Sequence, residues 1–368
     1  MLTGGVPYFK DREQNAHLFR QEQQRVEATK GQHTMQPQPP PLMDQFGRQV
    51  KDLRISVTDR CNYRCFYCKP AESFGHIYRS GLLSYEELVR ASRLFVEKLG
   101  VEKIRLTGGE PLLRKEIDIL VEELASIPGL QDLAMTTNAY LLPAKAQRLR
   151  DAGLQRLTIS LDSLRPDRFA EITRHDSLDR VFKGIQAAED AGFGPLKINA
   201  VVIRGVNDDE ILDFAKFSRE TGHIVRFIEF MPLDEDRKWD MTRVVPQAEI
   251  VQTLEKLGPL ENIGRSYSSE TANKFRYADG KGEIGIIASV TSAFCGQCSR
   301  IRLTADGKIR TCLFSLDEDN LLERMRRGDT DEQLLDYIRE VTWRKQAGHR
   351  ITAADYEYPE RSMSLIGG

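Results

Sequence analysis

No apolar run in this chain approaches the roughly 18 residues that a membrane-spanning helix needs, so the sequence reads as having no membrane segment. Its first thirty residues hold Asp11, Glu13, Glu22 and Glu27 and lack an apolar core segment. They do not read as a signal peptide, and the acids argue against a transit peptide. Excess charge is also missing. Lys and Arg total 53 against 55 Asp and Glu, a formal net of −2, so no global basic field points to nucleic acid or a membrane surface. Cysteine is scarce, with six in 368 residues. A chain this long, with no secretory signal and its cysteines clustered at metal spacing, reads as a thiol protein of a reducing cytoplasm and not as a disulfide scaffold.

What is present is the grouping of those six into threes. Cys61, Cys65 and Cys68 form C-x3-C-x2-C, and Cys295, Cys298 and Cys312 form C-x2-C-x13-C. A structural zinc wants four ligands, and an ordinary [4Fe–4S] cluster takes four thiolates. A triplet leaves one metal position open for a small molecule. From spacing alone zinc remains a rival at each triplet, with His349 as one available outside ligand for the second.

The rest of the chain predicts an α/β fold. Strand patterns at 53–58, 103–107, 132–136, 156–161, 197–203 and 225–231 alternate with helical patterns at 84–99, 115–125, 143–152, 178–191 and 208–221. Ser84 reads as a helix N-cap, and Gly100, Gly153, Gly192 and Gly222 sit where helices end. Alternating elements of this kind imply a parallel sheet with right-handed crossovers, curved into a partial βα barrel. Its chemistry should collect at the carboxyl ends of the strands. Three segments form the expected domain layout. Residues 1–43, polar and proline-rich at their end, read as a poorly ordered extension. Residues 44–240 read as the partial barrel. Residues 241–368 read as a C-terminal α+β domain, with a helix at 246–257, short strands at 274–277, 283–288, 301–304 and 309–311, and a helix near 330–347. A turn at Ala305-Asp306-Gly307-Lys308 would bring Cys312 back to Cys295 and Cys298.

Four cations, Arg54, Arg105, Lys197 and Arg226, fall on predicted strands of an otherwise buried sheet. Buried cations are costly without anions. Either each pairs with a local carboxylate such as Glu229 or Asp162, or together they hold a shared polyanion, for which a triphosphate is the obvious candidate. Arg300 and Arg302 follow the second triplet with a period of two, on one face of a strand. Guanidinium forks beside an open metal position suit an anionic planar ligand.

The C-x3-C-x2-C loop, with Gly108-Gly109-Glu110-Pro111 after the next strand, resembles the radical S-adenosylmethionine superfamily. Further stretches narrow the resemblance: Asp52-Leu53-Arg54-Ile55-Ser56-Val57-Thr58-Asp59-Arg60-Cys61-Asn62, Ile104-Arg105-Leu106-Thr107, Arg226-Phe227-Ile228-Glu229-Phe230-Met231, Asp306-Gly307-Lys308 and the terminal Gly367-Gly368. From about Phe46 to Gly368 the chain resembles the GTP 3′,8-cyclase family, which opens molybdenum cofactor biosynthesis. That resemblance implies two [4Fe–4S] clusters and S-adenosylmethionine. Cys61, Cys65 and Cys68 would hold the first cluster, and Cys295, Cys298 and Cys312 the second. Tyr67, Gly109, Ser160 and Met231 would line the S-adenosylmethionine pocket. Arg54, Arg105, Thr136, Lys197, Arg226, Arg300, Ile301 and Arg302 would contact GTP, with Arg300 and Arg302 assisting the reaction. The Gly-Gly tail would reach into the active site. An external low-potential electron donor, a downstream cyclic pyranopterin monophosphate synthase and a homodimer complete the implied partners. Lys69 departs from the methionine expected after Cys68, outside the ligand set.

Two other functions compete. A radical enzyme that modifies a peptide would usually need more C-terminal cysteines and gains nothing from a row of phosphate-ready cations. A non-catalytic iron–sulfur carrier would have closed four-cysteine sites. Stabilisation by GTP separates the cyclase from both.

Overall fold

The computed structural model describes residues 39–68, 77–233, 239–359, 361 and 363–367. The expected disordered extension therefore falls mostly outside the described residues, as do Lys69 and Gly368. Its last part is ordered: Leu42 is buried and its N–H donates to the Leu99 carbonyl at 3.2 Å.

All six strands expected before residue 240 form. They are β1 (Asp52–Ser56), β2 (Lys103–Thr107), β3 (Asp132–Thr137), β4 (Arg156–Ser160), β5 (Lys197–Val202) and β6 (Ile224–Glu229). Each pairs in parallel with the next, in chain order. Their sequences alternate because alternate side chains face opposite sides of a strand. Leu53, Ile55, Ile104, Leu106, Ile159 and Ile198 are buried in the main apolar core. Arg54, Arg105 and Lys197 occupy the opposite face and stay partly exposed.

The helices pack against the apolar face. Helix α1 (Tyr85–Arg93) starts at the expected Ser84, whose hydroxyl accepts from the Glu87 N–H while Glu87 reaches back to the Ser84 N–H. It continues into one π-helical turn, Leu94–Lys98, before Gly100. Helices α2 (Ile117–Ala125), α3 (Ala146–Asp151), α5 (Leu178–Asp190) and α6 (Ile211–Thr221) match expected segments. Helix α4 (Pro166–Thr173) was not anticipated. Its eight residues open on a proline at the first turn, and they bury Phe169 and Ile172. No helix among the described residues is long and apolar enough to cross a membrane.

The C-terminal strands join this same sheet. After α7 (Gln247–Leu254) come β7 (Leu260–Gly264), β8 (Asn273–Tyr277), β9 (Glu283–Ile287), β10 (Arg300–Leu303), β11 (Lys308–Arg310) and β12 (Asp319–Asn320). The order is β12-β11-β10-β1-β2-β3-β4-β5-β6-β9-β8-β7. Both β10 and β9 are parallel to their barrel neighbours, β1 and β6. Residues after 240 thus extend both edges of the partial barrel. Eight consecutive strands run in parallel, flanked by antiparallel hairpin strands. The described strands leave the sheet open, with β12 and β7 at its ends.

Candidate active site

Topology sets the two cysteine triplets at opposite ends of the parallel strands. Cys61, Cys65 and Cys68 follow the carboxyl end of β1. Cys295 and Cys298 precede the amino end of β10, and Cys312 follows antiparallel β11, which returns to that same end. The five residues of β1 alone span about 17 Å at 3.3 Å per residue. The polar face of the sheet lies between the triplets.

That face carries an in-register row of arginines. Arg54 pairs with Arg302 on one side and Arg105 on the other, and adjacent parallel strands stand about 4.8 Å apart. Further round, Arg105 Nη1 donates to the Thr158 hydroxyl at 3.1 Å, and Arg226 Nη2 donates to the same oxygen at 3.4 Å. Arg226 Nε donates to Asn199 Oδ1 at 2.9 Å. Among the described residues no carboxylate lies within ion-pair distance of Arg54, Arg105, Lys197 or Arg226. Neither local acid considered above serves them. Glu229 accepts from the N–H groups of Gln247, Val290 and Thr291, and Asp162 accepts from Tyr67 and Val201. Burial, then the charges of Arg302, Arg300 and Arg105, pushes Arg54 well below its ordinary value. Burial and the neighbours Arg226, Arg156 and Arg105 lower Lys197 to about 8. A guanidinium does not give up its proton in practice; such a group waits for an anion.

A cavity of about 300 Å³ opens at the amino ends of the strands. Lys103, Arg156, Lys197 and Arg226 line it, with Tyr267 and Glu270 of the β7–β8 loop. The Lys103 ammonium lies 3.9 Å from the Tyr267 ring centre. Lys103 escaped the sequence reading, although its period-two relation to Arg105 was a usable signal. Thr136 faces Thr158 across β3 and β4. Ile301 differs from its neighbours: its side chain is buried in the helix-side core, so only its backbone is available to a ligand.

At the carboxyl ends, the loop after β2 presses against the first cysteine loop. A Cβ on Gly109 would lie 2.3 Å from the Arg60 carbonyl oxygen, and one on Gly108 would lie 2.5 Å from that of Thr58. The Gly109 N–H donates to the Thr58 carbonyl at 2.8 Å. These glycines are required by the close approach of two backbones. Glu110 is buried and accepts from the Leu112 and Asn138 N–H groups and the Thr137 hydroxyl. Burial pushes it up to about 7. Tyr67 packs with Ile172, Ile203 and Phe230, and its hydroxyl donates to Asp162. Ser160 ends β4 in register with Asn199, and Met231 follows β6 against Leu233 and Val244.

The second triplet is held by cations that the sequence did not flag. Arg48 donates to the carbonyls of Cys295, Gln346 and Ala347 at 2.6–2.7 Å and pairs with Asp44. Buried Lys345 donates to the Arg300 carbonyl at 2.7 Å and to that of Thr311. Burial alone would raise the Cys298 thiol, but Arg300 and Lys345 bring it down to about 6. Cys65 of the first triplet goes the other way: burial, then Asp162 and its sister thiols, pushes it well above the usual range. The C-terminal tail also enters the lumen. Arg302 Nη1 donates to the Gly367 carbonyl, and a Cβ on Gly367 would meet Thr107 Oγ1 at 2.6 Å.

These donors fit iron–sulfur clusters better than zinc. Each group is three thiols, and the chain's six cysteines leave no fourth for either, a donor set that suits a cluster with one open iron. Arg300 Nε is buried with no partner beside Cys298, as a donor awaiting a ligand would be.

Comparison with known proteins agrees. Residues 55–218 match the Radical SAM superfamily and residues 223–351 match Molybdenum Cofactor Synthesis C. The GTP 3′,8-cyclase of Rhodopirellula baltica is 47% identical over 92% of this chain and 95% of its own length. This chain belongs to the GTP 3′,8-cyclase family. The mitochondrial GTP 3′,8-cyclase of Arabidopsis thaliana is 43% identical over 89% of this chain and 83% of its own. Streptococcus suis SuiB bound to S-adenosylmethionine superposes with a TM-score of 0.57 at 15% identity, over 91% of this chain and 75% of that one, which is a likeness of fold. As a member of a radical S-adenosylmethionine family, the chain takes a [4Fe–4S] cluster and S-adenosylmethionine.

Proposed function

We infer that this enzyme cyclises GTP to (8S)-3′,8-cyclo-7,8-dihydroguanosine 5′-triphosphate, the first step of molybdenum cofactor biosynthesis. The observation that carries the reading is the row of cations with no carboxylate partners among the described residues, on the polar face between two three-cysteine loops. It matches a polyanionic substrate, and the relatives named above are GTP 3′,8-cyclases.

In this reading Cys61, Cys65 and Cys68 hold the cluster that meets S-adenosylmethionine, and Cys295, Cys298 and Cys312 hold a second [4Fe–4S] cluster. When bound, these groups supply a carbon radical able to take hydrogen from ribose C3′ and an open iron for the purine. Arg54, Arg105, Lys197, Arg226 and Arg302 hold the triphosphate, and Thr136 helps seat the nucleotide. Gly109, Tyr67, Ser160 and Met231 line the S-adenosylmethionine side. Arg300, beside Cys298, and Arg302 steady the charge that develops on the purine as it takes up an electron and a proton. In sum, C3′ loses a hydrogen, a C3′–C8 bond forms, and the purine gains one electron and one proton. The product is an isomer of GTP. The electrons come from an external low-potential donor, and a cyclic pyranopterin monophosphate synthase takes the product. A homodimer in the cytoplasm is part of the same reading. The protein supplies position, charge compensation and exclusion of water.

The test is anaerobic incubation of cluster-loaded protein with dithionite, S-adenosylmethionine and GTP. A new isomer of GTP formed with 5′-deoxyadenosine supports the reading. Recovery of GTP alone overturns it.

A further inference from the structure

The tail that reaches Arg302 is fastened six residues earlier. Arg361 Nη1 and Nη2 donate to the two carboxylate oxygens of Asp306 at 2.9 and 2.8 Å, and Arg361 Nε lies 3.1 Å from Glu318. The side chains are 22%, 17% and 12% exposed, so the fork is largely shielded from water. A bidentate pair of this kind fixes direction as well as distance. Asp306 belongs to the β10–β11 turn, and β10 carries Arg302 itself. Both ends of the tail thus rest on one rigid hairpin. Beyond Arg361, the short helix Met363–Ile366 buries Ile366 completely, and Gly367 enters beside Ser56 and Thr107.

We propose that Arg361 is a positioning residue: its clip to Asp306 and Glu318 sets how far, and in what direction, the C-terminal glycines enter the lumen. Without the clip, the tail is still held upstream around Tyr356, whose hydroxyl donates to the Pro232 carbonyl at 3.3 Å and whose ring meets that of Tyr358. The tether to Gly367 would lengthen. It would also run from the rim at β6 and not from the hairpin that holds Arg302. Lengthening alone dilutes the tail only about two- to threefold. Loss of direction accounts for the larger effect expected, because small misplacements of an active-site group cost roughly ten- to hundredfold in rate. Arg361 pairs with Asp306 and Glu318, neither of them in the cation row, so substrate binding should be spared.

This proposal rests on the cyclase reading for its catalytic consequence, but its structural claim is testable without turnover. Hydrogen–deuterium exchange by mass spectrometry would follow the C-terminal peptide in the parent, Arg361→Ala, Arg361→Lys and Asp306→Asn proteins. Peptides from β1 to β6 report whether each variant stays folded. The expected result is roughly tenfold faster exchange of the tail in Arg361→Ala, a smaller rise in Arg361→Lys, and no further rise when Asp306→Asn is added to Arg361→Ala. Steady-state kinetics should show kcat reduced about tenfold or more with KM for GTP little changed. Unchanged tail exchange in folded Arg361→Ala overturns the clip, and so does a loss confined to KM. A parent protein that leaves GTP unchanged overturns the cyclase reading, while the exchange comparison still decides the clip.

Discussion

Arg105 on β2 and Arg226 on β6 stand four strands apart, yet both donate to the hydroxyl of Thr158 on the strand midway between them. The inward curve of the sheet folds two like charges onto one neutral oxygen. The free protein keeps them together only because the sheet beneath is rigid. A polyanion placed there relieves the repulsion and becomes bound by it.

The sign of one mutational effect follows. Replacing Arg226 by Ala removes a like charge from the free protein, so its melting temperature should hold or rise. GTP at a hundred times its Kd stabilises the parent by about 2.7 kcal/mol. In the variant Kd should rise at least about tenfold, so about half or more of that stabilisation should vanish at the same GTP concentration. Thermal unfolding with and without GTP checks both halves. A variant destabilised alone but stabilised normally by GTP contradicts the assignment.

Lys197 gives a pH dependence. Its folded value is lowered to about 8 from 10.5 by burial and by Arg226, Arg156 and Arg105. Between those values the unfolded chain holds a proton that the folded chain has released, so stability of the free protein should rise with pH across this window. Below pH 8 both states are protonated and the repulsion is fully present. A bound triphosphate favours the charged amine. GTP affinity should therefore weaken above pH 8, by up to about tenfold per pH unit for one proton, and Lys197→Arg should flatten the profile. Calorimetric titration from pH 7 to 9.5 decides this; a flat parent profile counts against it.

The two triplets should differ in thiol reactivity before metal is loaded. Cys298 is brought down to about 6 by Arg300 and Lys345, against burial, while burial pushes Cys65 well up. The thiolate is the reactive form. In reduced, metal-free protein at pH 7, iodoacetamide should modify Cys298 at least about tenfold faster than Cys65, and Arg300→Ala should slow Cys298. Peptide mass spectrometry over time reads the rates, and equal rates would contradict the charge arrangement. The same Arg300→Ala protein, once loaded, should keep its iron and lose cyclisation.

Gly109 makes a purely steric prediction. An alanine methyl would sit 2.3 Å from the Arg60 carbonyl oxygen, and backbone on both sides leaves no flexible side chain to yield. Gly109→Ala should displace the Cys61 loop, lowering iron bound by the first triplet while Arg300-side iron is retained. Iron content near half that of the parent, with the fold intact by circular dichroism, is the expected result.

The sequence made the parallel core legible because its cues are local. Apolar alternation, the Ser84 cap and glycines after the helices all act within a few residues. Gly100, Gly153, Gly192 and Gly222 do adopt positive φ. The placement of β9 and β10 on opposite edges was not legible, because the pairing of Asp52 with Arg300 joins residues 248 apart. The site divides the same way. Cysteines and period-two arginines announce themselves, whereas Arg48, Thr158, Asn199 and Lys345 are ordinary residues given roles only by where the chain brings them. Asp306 was legible as a turn and not as the far end of a tail clip.

The central claim is that the cations hold GTP so that its ribose C3′ faces the S-adenosylmethionine side and its purine faces Arg300. The most direct measurement is anaerobic turnover of the loaded enzyme with GTP deuterated at C3′, following the label by mass spectrometry. The expected result is one deuterium in 5′-deoxyadenosine and an unlabelled, cyclised isomer of GTP. Unlabelled 5′-deoxyadenosine with the deuterated GTP recovered intact would contradict the account.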